Sequence, residues 1–179
     1  NIDAGEDQTI CNGTSVGIGG SPSASGGDDS FTYSWSPAIG LDDPNDANPN
    51  ANPNTTTTYT LTIDDEAGCV LTDEVTVTVI QQPTVDAGPD MIIECGNTSV
   101  VLDGSSSSAG DYTWDTTSGN IISSINGEFA SVDEAGTYTL EVDAGFGCIG
   151  QDEVLVTEET LNAEAILSGP LVLCGDEVG

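Results

Sequence analysis

The sequence contains no lysine, no arginine and no histidine, and each absence excludes a class of chemistry. Without Lys or Arg no side chain can pair a phosphate, so nucleic acid is excluded as a partner. Anionic lipid headgroups likewise find no cation. Without His there is no base for a Ser-His-Asp or Cys-His nucleophile. A lysine-to-asparagine isopeptide staple is impossible, and trypsin-like proteases find no cleavage site. No apolar run approaches the roughly 18 residues that a membrane span needs, and no stretch of these residues reads as a signal peptide. No Cys-x-x-Cys occurs, which removes the closely spaced thiols of a zinc site. Aromatic residues make up only 5%.

What is there is acidic. The 179 residues carry 31 Asp and Glu, a formal charge of −31. The carboxylates are scattered rather than blocked, and 36% of residues are hydrophobic, so the composition is not that of a disordered acidic tail. Ser, Thr and Gly are abundant. This reads as an all-β extracellular chain. Five cysteines fit an oxidising compartment, since no thiolate here has a cationic neighbour to activate it. Self-repulsion of this size opposes a compact state, so the melting temperature is expected to rise with salt or calcium; a flat melting temperature from low to high ionic strength would refute this.

The chain repeats itself. Tyr33-Ser34-Trp35 recurs as Tyr112-Thr113-Trp114, and Thr58-Tyr59-Thr60-Leu61 as Thr137-Tyr138-Thr139-Leu140. Ala67-Gly68-Cys69 is echoed by Phe146-Gly147-Cys148, and Asp73-Glu74-Val75 by Asp152-Glu153-Val154. All share one offset (114 − 35 = 138 − 59 = 148 − 69 = 152 − 73 = 79). Upstream, Asp3-Ala4-Gly5 matches Asp86-Ala87-Gly88, and Cys11 matches Cys95. A further copy opens where Ser168-Gly169-Pro170 leads to Cys174-Gly175-Asp176. The expected organisation is one repeat over 1–81, a second over 82–160, and the first strand of a truncated third over 161–179. Opening on Asn1 and ending inside a copy, the sequence reads as a mature or partial chain.

Each repeat reads as strands. Phe31, Tyr33 and Trp35 alternate with Thr32, Ser34 and Ser36; Tyr59, Leu61 and Ile63 alternate with threonine; Tyr138, Leu140 and Val142 alternate with Thr137, Thr139 and Glu141. Period-two alternation gives one buried and one wet face. Asn48-Pro49-Asn50, Asn52-Pro53-Asn54 and Asn126-Gly127 supply turn chemistry between the runs. About seven short strands in about 80 residues, with a central Trp and a later Tyr, predict an immunoglobulin-like sandwich. Trp35, Trp114, Tyr59 and Tyr138 share the phase of the apolar residues and are expected in the core.

The order Cys-x-Gly, Tyr-x-Trp, Thr-Tyr-Thr-Leu, Gly-Cys and a closing Val-Thr-Val strand resembles the PKD-type (polycystic-kidney-disease-like) Ig-like tandem repeats of bacterial cell-surface adhesins and extracellular fibres. The resemblance covers nearly the whole chain. It implies a tandem β-sandwich fold, secretion, and a spacer or adhesive role. One departure stands out: the Gly-Asp-Gly that often follows the Trp is absent, Trp35 being followed by Ser36-Pro37 and Trp114 by Asp115-Thr116.

Cys11, Cys69, Cys95, Cys148 and Cys174 are expected to form disulfides. Two pairings are open. Within repeats, Cys11 would join Cys69 and Cys95 would join Cys148, leaving Cys174 over. The objection is that a Cys before the second strand and one past the last hairpin lie at opposite ends of a sandwich. A seven-residue strand spans roughly 23 Å, whereas bridged Cα atoms lie within roughly 7 Å. In a head-to-tail string Cys11 would instead reach Cys148.

Asp42, Asp43 and Asp46 crowd one loop, and oxygen-rich loops suit calcium, although no EF-hand spacing is present; calcium is the one cofactor the sequence offers. The sequons at Asn12, Asn54 and Asn97, and the Asp-Ser/Thr triplets at Ser30 and Thr116, are candidate glycosylation positions. No pair of acids is marked as a glycosidase dyad, so no enzyme is expected. The leading functional expectation is a structural repeat segment of a secreted surface adhesin stalk or filament. Its partners would be neighbouring repeats, other copies in a filament, or glycans. The alternative is a carbohydrate-binding module, which needs an exposed aromatic platform.

Overall fold

The computed structural model describes residues 1–26, 31–65 and 69–159. It is all-β: the described residues contain twelve strands and no helix. The contacts divide the chain into two compact units, residues 1–82 with 144–148, and residues 83–143 with those from 149 on.

In the first unit the strands are β1 (Gln8–Cys11), β2 (Val16–Gly17), β3 (Phe31–Ser36), β4 (Asn50–Ala51), β5 (Thr57–Asp65) and β6 (Val70–Ile80). The larger sheet runs β1-β6-β5-β3, and β2 pairs with β4 in the smaller. β1 lies parallel to β6, while β5 is antiparallel to both β6 and β3. The second unit has β7 (Met91–Ile93), β8 (Val100–Asp103), β9 (Asp111–Thr116), β10 (Phe129–Val132), β11 (Gly136–Asp143) and β12 (Ile149–Glu158). Its larger sheet runs β7-β12-β11-β9, again with one parallel edge strand, and β8 pairs with β10. Both units therefore use one topology. Register repeats too: Trp35 faces Leu61 as Trp114 faces Leu140, and Leu61 faces Asp73 as Leu140 faces Asp152.

The alternation seen in the sequence becomes the two faces of each sheet. Trp35, Tyr59, Leu61, Ile63, Val75 and Val77 fill the first core, joined by Ile10 from β1 and Ile18 just after β2. Trp114, Tyr138, Leu140, Val142, Val154 and Val156 fill the second. Each unit thus has its own packed layer between two sheets, which is the Ig-like sandwich arrangement. The chain is a tandem of two such sandwiches.

The repeated Asp-Ala-Gly has a structural reason. Asp3 and Asp86 accept the amide N–H of Gly5 and Gly88 through Oδ1 at 2.9 and 3.0 Å, closing a tight turn. The alanines are buried (0% and 1% exposed). The glycines take φ of +89° and +84°, and a Cβ would sit 3.0 Å from the carbonyl oxygen of Gly19 or Asp103, so only glycine fits.

Candidate functional site

The cysteines are set by the strands that carry them. Cys11 ends β1, where parallel pairing places it beside Ile80 at the far end of β6. Cys69 immediately precedes Val70 at the near end of that strand. Ten residue steps of β6 separate the two ends, roughly 33 Å. A bond between Cys11 and Cys69 is therefore impossible, and the within-repeat pairing is corrected on this ground. Cys11 is bonded to Cys148 instead, with the Cα atoms 5.2 Å apart. That bond also removes Cys148 as the partner of Cys95, which is itself disulfide-bonded. Cys174 lies outside the described residues.

Cys148 is held by a tight turn. The Ala144 N–H donates to the Cys148 carbonyl at 2.9 Å, and the Cys148 N–H to the Gly145 carbonyl at 3.0 Å. Gly145, Phe146 and Gly147 all have positive φ, the Phe146 value being 53°. This conformation is costly for a bulky residue, yet the Phe146 ring is 73% exposed. Both sulfurs belong to buried residues, Cys11 being 8% and Cys148 0% exposed.

The acidic loop after β3 uses its carboxylates on its own backbone. Asp42 accepts the Asn50 N–H and side-chain amide at 2.8 and 2.9 Å. These two bonds to Asn50, side chain first, hold its carboxyl below the usual range. Asp43 Oδ1 accepts the Asn45 N–H, and Asp46 Oδ1 the Asn48 N–H. The three carboxylates thus bond amides of Asp43, Asn45, Asn48 and Asn50 within the loop and β4. Among the described residues no group of three or more His, Cys, Asp or Glu is arranged to hold a metal ion.

Two further pairs of carboxylates recur; sequence reasoning saw the repetition of Asp73 as Asp152 but not its work, and it missed the pair Asp7 and Asp90. Asp73 Oδ2 accepts the buried Ala4 N–H at 2.8 Å, and Asp152 Oδ2 the Ala87 N–H at 2.9 Å. Asp7 Oδ1 accepts the Thr76 N–H, and Asp90 Oδ1 the Leu155 N–H. These bonds tie the segment before each parallel edge strand to β6 or β12. Charged acceptors make such bonds stronger than neutral ones. The partners lie 65 to 69 residues apart in the chain. The only available signal was the constancy of Asp at 73 and 152.

The candidate glycosylation positions differ in access. Asn54 and Asn97 are exposed. Asn12 is half-buried and its amide donates to Gln81 Oε1 at 2.9 Å. The Thr116 hydroxyl is turned inward, to the Thr137 carbonyl at 2.8 Å and to the Ser118 carbonyl. Ser30 lies outside the described residues. The rings that would form a sugar platform are in the cores: Trp35, Trp114, Tyr59 and Tyr138 are each no more than 2% exposed.

No protein-family model matches the chain, and no curated protein is similar to it. Solved structures are similar in fold. The I-band fragment I67-I69 from titin is 15% identical with a TM-score of 0.49; the match covers 86% of this chain and 62% of that fragment. The IG1+IG2 structure of DIP-gamma is 10% identical, also at 0.49, covering 87% of this chain and 94% of that one. The PKD domain from the KIAA 1837 protein is 30% identical over 49% of this chain and 91% of that domain, with a TM-score of 0.37. This chain spans about three fifths of the titin fragment. The Ig-like assignment rests on the repeated strand order and register of the two units.

Proposed function

We propose that this chain is a non-catalytic structural repeat segment of a secreted bacterial surface protein, an adhesin stalk or an extracellular filament. The observation that carries the reading is the Cys11–Cys148 bond. It joins residues that belong to successive repeats in the 79-residue register, which suits a chain built in series rather than a lone recognition domain. Two further features support the reading. Carboxylates are used to fix turns and edge strands, and the lack of Lys and Arg denies trypsin-like proteases a cleavage site. The neighbours of each repeat would be other repeats of the same chain or other copies in a filament.

A carbohydrate-binding role would need ring faces in water, and the four rings that share the apolar phase are buried. Binding on a glycan array would restore that alternative.

Antibody labelling of intact source cells in the electron microscope tests the proposal. Label on fibres or stalks outside the cell, removed by a Glu-specific protease and retained after trypsin, is the expected outcome. Label confined to the cell interior would refute it.

A further inference from the structure

The disulfide closes a loop with a sequence separation of 137. Cys11 is the last residue of β1, and Cys148 immediately precedes β12. Everything from β2 to β11 lies inside the loop, including both tryptophans. Of the first core's buried residues, only Ala4 and Ile10 precede the loop; of the second's, only Val154 and Val156 lie beyond it. The backbone outside the loop is thus two segments: residues up to Cys11, which end on the edge strand β1, and the stretch from β12, a strand flanked by β7 and β11, to the C-terminus.

We propose that this bond is a tension bypass, so that a pull on the ends of the chain crosses from β1 to β12 through sulfur and leaves everything from β2 to β11, with most of both cores, outside the covalent load path. The proposal rests on the reading of the chain as a segment that bears load. When residue 1 and residue 179 are drawn apart, the shortest covalent track runs along β1, through the disulfide and along β12. The enclosed residues cannot be extended while that bond holds. The sandwiches are attached to the track by ladder pairing: β1 beside β6, and β12 beside β11 and β7. Opening that pairing adds no length from the loop. The burial of both Cys11 and Cys148 denies a solution reductant its line of attack, so the bypass lasts as long as the fold around it. A pairing inside each repeat would also shorten the chain, but it would leave the joint between repeats in the load path.

The test is single-molecule stretching of the full chain through handles at its two ends, with the final contour length read before and after reduction. At about 3.5 Å per residue, freeing a separation of 137 lengthens the chain by about 480 Å. A gain of about 390 Å or less overturns the proposal. That smaller figure is what loops from 11 to 69 and from 95 to 148 together would release. The variant Cys11→Ser is expected to lose the 480 Å gain. If it fails to fold, the wild-type measurement still decides, because final length is read on an extended chain. Because the measurement uses purified chain, it fails or succeeds independently of where the chain resides, which the labelling experiment reads.

Discussion

The two sandwiches share a strand order and a register but treat their tryptophans differently. In both, the backbone N–H of the Trp is taken by a segment crossing the open edge of β3 or β9. The Trp35 N–H bonds the Pro44 carbonyl at 2.8 Å, and the Trp114 N–H bonds the Ile125 carbonyl at 2.7 Å. The indoles diverge. The Trp35 Nε1–H donates to the Asp46 carbonyl at 2.9 Å, whereas the Trp114 Nε1–H is buried with no acceptor among the described residues. The tyrosines diverge as well. The Tyr59 hydroxyl reaches the Ile39 carbonyl in the crossing segment at 2.8 Å. Tyr138 donates to Glu134, four residues upstream, at 2.7 Å and accepts the Asn120 N–H at 3.0 Å. What repeats is what apolar burial and ladder pairing dictate. What varies is how each loop meets the polar atoms that burial strands.

This comparison can be broken at several points. The largest effect is expected from the Cys11–Cys148 disulfide, both of whose residues fall in the first unit in the grouping of contacts. Replacing Cys11 and Cys148 by Ala is expected to cost about 2–5 kcal/mol. In a Trp114→Phe background, Trp35 fluorescence follows the first unit alone during denaturation and should show that loss. A shift confined to the second unit would break the comparison.

Next come the carboxylate ties. Asp73→Ala and Asp152→Ala each leave a buried alanine N–H without its acceptor, a loss of about 1–3 kcal/mol. The two units should lose the same amount by calorimetry. Unequal losses would mean that the repeated Asp does different work in each.

The indoles sharpen the contrast. Trp35→Phe removes a hydrogen bond, while Trp114→Phe removes an N–H that has no acceptor among the described residues. The first is expected to be the more destabilising by about 1–3 kcal/mol, and equal costs would refute the distinction.

The smallest effect is at alkaline pH. Burial pushes the Tyr59 hydroxyl above its ordinary value of 10.0. Burial does the same for Tyr138, helped by Asp133 and Glu134 and opposed by the Asn120 N–H. A raised folded-state value favours the neutral phenol. Its stabilisation is complete below pH 10.0 and is lost as pH rises through the folded-state value. Tyr59→Phe and Tyr138→Phe should each flatten the alkaline limb of stability against pH, measured by denaturant titration. An unchanged limb would show that these phenols do not drive it.

The long strands were legible because β3, β5, β6, β9, β11 and β12 alternate over six or more residues, and because one offset links the copies. β2 and β4 were not, since two residues carry no periodicity. The crossing segments after each Trp were not legible either: their work is to supply carbonyls at Pro44, Asp46 and Ile125, and a carbonyl leaves no mark on residue type. The disulfide was legible as two alternatives. Register decided between them, because pairing Cys11 with Ile80 rather than with Val70 sets it at the end of β6 remote from Cys69.

The most direct test of the account is a non-reducing peptide map of the oxidised chain, cut with Glu- and Asp-specific proteases. A linked peptide holding Cys11 and Cys148 is the predicted product. A linked peptide holding Cys11 and Cys69 would contradict the β1–β6 register and, with it, the joining of successive repeats through sulfur.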